Sequence, residues 1–100
     1  MSKFNNFGGG NMQQMMKQAQ EMQKQMDKIK EDLSETAIEA TAGGGMVTVE
    51  MTCAYELINM KINPQVIDQD DPEMLEDLVI AAINEALAQV TAIRAEKLPI

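Results

Sequence analysis

TAIEATAGGGMVTVEMTCAYELINMKI, residues 36–62, is the stretch that decides the fold. Within it, Val47, Val49, Met51 and Cys53 alternate with Thr48, Glu50 and Thr52. A period of two puts one set on each face, the pattern of a half-buried strand in an antiparallel sheet. Upstream, Ile38, Ala40 and Ala42 alternate with polar neighbours, and Gly43-Gly44-Gly45 supplies a turn. Downstream, Ala54–Glu56 make a short connection; Ile58, Met60 and Ile62 then share one face until Asn63-Pro64 ends the strand. Three strands, 36–42, 46–53 and 57–62, joined by links this short, pair as antiparallel hairpins.

Both flanks read as helix. From Asn11, a good N-cap residue, Met12, Met15, Ala19, Met22, Met26, Ile29 and Leu33 repeat at alternating steps of three and four. Met16 widens this stripe, and Gln, Lys and Glu fill the other positions. A helix over 11–35 would be about 37 Å long. A narrow apolar seam on so long a helix calls for another helix, from this chain or from a second subunit. The first ten residues, with Asn5-Asn6 and Gly8-Gly9-Gly10, read as a disordered tail. Beyond the strands, Asp71 is a candidate N-cap with Pro72 at the first helical position. The helix over 72–97 carries Leu75, Leu78, Val79, Ala82, Ile83, Ala86, Leu87, Val90 and Ile93. That face is wide enough to cover a sheet and a partner together. The expectation is an α+β domain over 11–98 of order α-β-β-β-α, in which Met15, Met22, Met26, Ile29, Leu78, Ile83 and Leu87 form the core or dimer seam.

Several classes of function are disfavoured. With no histidine, the commonest general base and zinc ligand is missing, and a Ser-His or Cys-His pair cannot be built. Cys53 is the single cysteine and sits in a strand, so it reads as a buried structural thiol. The glycine triplet lacks the Lys-Ser/Thr of a phosphate loop. The acids Asp68, Asp70, Asp71, Glu73, Glu76 and Asp77 fail the calcium-loop pattern, because Pro72 and Glu73 stand where a ligand and a glycine are needed. The expectation is a protein that is not an enzyme, with no catalytic residues, metal, cofactor or small-molecule substrate. With no uninterrupted apolar run of bilayer length and no apolar signal core, we expect no membrane association and a cytoplasmic location.

Charge is unevenly distributed. The whole chain carries −8, yet residues 1–30 hold five lysines against two acids. Residues 31–100 hold three basic residues against fourteen acids. Lys17, Lys24 and Lys28 fall on one side of the first helix, opposite or flanking the methionines, and Lys30 lies nearer the seam edge. Ammonium groups spaced about 6–11 Å apart along a helix can contact successive phosphates. A solvated exterior of a coiled coil would look the same.

Three segments together are more specific. Met15-Met-Lys-Gln-Ala-Gln-Glu-Met-Gln-Lys-Gln-Met26, Ala42-Gly-Gly-Gly-Met-Val-Thr-Val49 and Asp71-Pro-Glu-Met-Leu-Glu-Asp-Leu-Val-Ile-Ala-Ala-Ile-Asn-Glu-Ala86 resemble, in order and spacing, the YbaB/EbfC family of bacterial nucleoid-associated proteins. The resemblance covers about residues 11–90. It implies a tight homodimer layered sheet/helices/sheet with protruding helices. It also implies binding to double-stranded DNA, association with the nucleoid, and roles in nucleoid organisation and gene expression. The family's contacts at helix ends map here to Lys17, Lys24 and Lys28, with Lys30 beside them, and to Arg94 and Lys97. Thr52-Cys-Ala-Tyr-Glu56 stands where relatives usually carry an Asn-Gly turn. The alternative is a protein–protein interaction module in which the Met-rich seam receives an amphipathic helix, with little or no DNA binding.

Overall fold

The computed structural model describes residues 2–98, with side chains from residue 11 onward. The order is α1 (Ser2–Glu35), β1 (Ala37–Ala42), β2 (Val47–Thr52), β3 (Leu57–Ile62), a short 3-10 turn η1 (Pro64–Val66) and α2 (Pro72–Lys97). The strands form one antiparallel sheet of order β1-β2-β3. This is the α-β-β-β-α arrangement expected from the pattern.

Two details depart from expectation. Helix α1 does not begin at Asn11; it starts at Ser2, so the segment read as a tail is continuous with the helix. Glycine accepts helical dihedrals, and no proline lies in this stretch, so Gly8–Gly10 weaken the helix by about 1 kcal/mol each without blocking it. The second departure is in β3. Met60 pairs with Val49 and Ile62 with Val47, but the register slips between Glu50 and Met51, and Met51 pairs with Leu57. Ile58 is thereby taken off the alternation and is 49% exposed.

The core lies between the sheet and α2. Val47, Val49, Met51 and Cys53 are all buried, as the period of two requires, and meet Ala82, Ala86 and Val90 of α2. Small residues at 82 and 86 let α2 approach β1 and β2, the strands it packs against. The Asp71 side chain accepts a hydrogen bond from the Met74 amide, and Pro72 opens the helix. By length and composition α2 is apolar enough to cross a membrane. In this fold its apolar residues instead cover the sheet or stand on the flank described below. Gly43, Gly44 and Gly45 all take positive φ in the β1–β2 turn, where side chains are disfavoured. A β-carbon at Gly43 would also lie 2.7 Å from Leu78 Cδ2.

Among the residues whose side chains are described, helix α1 joins this body through its C-terminal end. Leu33 is 1% exposed and inserts into the core, with Ile29 packed beside it. The rest projects away, and the molecule measures 82 × 20 × 18 Å.

Candidate nucleic-acid interface

The projecting part of α1 is an arm with two chemically different sides. On one side run the methionines. Met15 and Met22 are 66% and 65% exposed, Met26 and Ile29 are half-buried, and Leu33 is buried. The seam is therefore covered at its root and bare towards its tip. Of the α2 residues read as part of the same seam, Leu78 and Ile83 pack against the core, while Leu87 stands outside it and is 36% exposed.

On the other side of the arm lie Lys17, Lys24 and Lys28, all exposed. At 100° per residue the three span about 40° of the helix circumference, roughly opposite the methionines. Their successive separations along the axis are about 10 Å and 6 Å. Lys30 is also exposed but sits nearer the seam, and Gln23 is tied to Asp27 by a 3.0 Å hydrogen bond. Strongly hydrated ammonium groups on flexible stems suit a polyanion whose phosphates need not be in one rigid register. Lys97 is exposed in the last turn of α2.

Arg94 is placed differently from the lysines. It is half-buried, its Nη1 donates to the Cys53 carbonyl at 2.8 Å, and its guanidinium lies 5.1 Å from the centre of the Tyr55 ring. The Tyr55 hydroxyl shares a 2.8 Å hydrogen bond with Thr91 Oγ1. Tyr55 has φ +64°, a left-handed conformation costing a non-glycine residue about 1–2 kcal/mol. A cation–π contact of about 0.5–1 kcal/mol and a hydrogen bond of about 1 kcal/mol are of the size needed to offset it. Thr52, buried, organises the same turn by accepting from the amides of Ala54 and Glu56. Tyr55 and Thr91 carry no chemical motif, and their role was not visible in the sequence. The nearest signal was the departure from an Asn-Gly turn at residues 52–56.

A profile of the YbaB/EbfC DNA-binding family matches residues 8–99. The chain belongs to the YbaB/EbfC DNA-binding family. A nucleoid-associated protein of Thermoanaerobacter pseudethanolicus is 52% identical over 80 residues, covering 80% of this chain and 72% of the relative. One from Chloroflexus aurantiacus is 44% identical over 88 residues, 88% of each chain. Among solved structures, an uncharacterized protein from Helicobacter pylori superposes with a TM-score of 0.76 at 24% identity, over 83% of this chain and 87% of that one. The last likeness shows a shared fold. The family is one of DNA-binding, nucleoid-associated proteins and not of enzymes.

Proposed function

We propose that the chain acts as a homodimer that binds duplex DNA through the lysine faces of its two α1 arms, in the cytoplasm at the nucleoid, and so contributes to nucleoid organisation and gene regulation. The observation that carries this reading is the row Lys17, Lys24 and Lys28 on a helix that projects clear of an otherwise acidic body. A dimer carries twice the −8 of one chain, and that field repels DNA at long range. Screening confines it to about 8 Å at physiological salt, so arms held away from the body can still engage phosphates. Lys30 and Lys97 add charge beside these contacts.

The dimer is supported by what α2 leaves uncovered. Ala81, Glu85 and Gln89 of α2 line a groove against Glu39–Gly43, so that side of the helix faces β1. The opposite flank, with Ile80, Ile83 and Leu87, therefore lies towards β3, whose apolar residues Ile58, Met60 and Ile62 α2 does not fully cover. Ile80 is 56% exposed. A second α2, related by a two-fold axis, fills this space and gives a sheet/helices/sheet sandwich. The test is fluorescence anisotropy with a labelled duplex. The triple variant Lys17→Glu/Lys24→Glu/Lys28→Glu should lose binding while remaining a dimer, and unchanged affinity would refute the lysine assignment.

The bare methionines at the arm tip favour one other reading, a module that receives an amphipathic helix from a partner protein. Capture of one defined protein at about 50 mM salt, with no DNA retained, would support it over DNA binding.

A further inference from the structure

We propose that Arg94 is a positioning residue for the α1 arm, in place of the DNA contact expected of it, and that it sets the angle at which the arm leaves the domain. The proposal rests on reading α1 as the DNA-binding arm. Its basis is the set of bonds made by the backbone of one residue, Cys53. The Cys53 amide donates to the carbonyls of Leu33, at 3.1 Å, and Thr36, at 2.8 Å, at the C-terminal end of α1. The Cys53 carbonyl accepts from Arg94 Nη1 in the last turns of α2. One peptide segment thus links the root of the arm to α2, and Arg94 closes the link.

Other anchors at the root are few. Leu33 is the arm's one fully buried side chain among residues 11–35. Thr36 Oγ1 and Ser34 Oγ donate to carbonyls of the arm's own last turn, so they cap it without tying it to the body. The node formed by Arg94, Tyr55 and Thr91 holds the 52–56 turn from the α2 side. A lever amplifies any slack there. Residue 12 lies about 32 Å from residue 33 along the helix, so a rotation of about 10° at the root moves it by about 5 Å. Flexible lysine stems can follow such a movement, but arms of uncertain angle must be ordered when both engage one duplex, and that cost weakens binding.

The test measures the distance within one subunit between nitroxides at Gln20→Cys and Asn59→Cys. Labelled chains are diluted into unlabelled protein, and Cys53, being buried, is left unlabelled. The wild-type arm should give one narrow distribution. Arg94→Met should broaden it or shift it by about 3 Å or more, with DNA affinity falling about tenfold, and Arg94→Lys should lie between. Should Arg94→Met fail to fold, Arg94→Gln, which keeps an amide donor, is read in the same way. A wild-type distribution in Arg94→Met overturns the proposal, and if DNA affinity falls alone, Arg94 is a contact residue. Unfolding of both Met and Gln variants also overturns it, because Arg94 would then support the domain and not the arm. Should the wild-type protein ignore DNA, the functional reading fails while the distance result still decides the geometry.

Discussion

Leu78 fills the space that the missing side chain of Gly43 leaves open: its Cδ2 would stand 2.7 Å from a β-carbon at that position. The contact couples the β1–β2 turn to α2. Gly44, with φ +68°, has nothing within 4 Å of its own imagined β-carbon. The two glycines separate backbone strain from steric conflict. Gly44→Ala should cost about 1–2 kcal/mol from the left-handed conformation alone. Gly43→Ala should cost that plus about 1–3 kcal/mol for displacing Leu78. Urea midpoints of the two variants measure the difference, and equal midpoints would mean that Leu78 moves aside freely.

Leu33 is the point at which the arm enters the core. Leu33→Ala should destabilise the fold by about 2–5 kcal/mol, as for other buried leucines. Met22→Ala, at an exposed position on the same stripe, should change stability by less than about 0.5 kcal/mol. Thermal or denaturant unfolding checks both. A large loss at Met22 would show that the arm's seam is covered in the assembled protein.

The uncovered flank of α2 makes its own prediction. Ile80→Glu/Leu87→Glu places two charges on positions that are 56% and 36% exposed in one chain. The subunit should fold, because neither side chain belongs to the core cluster. Sedimentation should show the variant as a single 11.1 kDa chain and the wild type as twice that mass. A variant that still dimerises would move the interface elsewhere, the Met seam being the next place to look.

The sheet and α2 were legible from the sequence because their signals are local and mutually consistent. Val47, Val49, Met51 and Cys53 specify a face by their spacing alone, and Asp71-Pro72 marks a helix start by side-chain chemistry. The lysine row could be read for the same reason, since seven and four residues return to one side of a helix. What escaped depends on partners far apart in the chain. Arg94 and Cys53 are 41 residues apart, and Tyr55 and Thr91 are 36 apart. The family resemblance assigned Arg94 to DNA contact, and the local pattern gave no sign of the Cys53 carbonyl that its guanidinium meets. The start of α1 was missed for a different reason. Glycines lower helix stability without forbidding the helix, so propensity gave the wrong boundary.

The salt dependence of duplex binding tests the central claim most directly. Each neutralised phosphate contributes about −0.9 to the slope of log K against log salt, so six lysines from two arms should give a slope near −5. Affinity measured by anisotropy between about 50 and 200 mM salt should therefore fall by about three orders of magnitude. A slope close to zero, or no binding at the lowest salt, would contradict a mechanism in which paired lysine arms hold DNA by its phosphates.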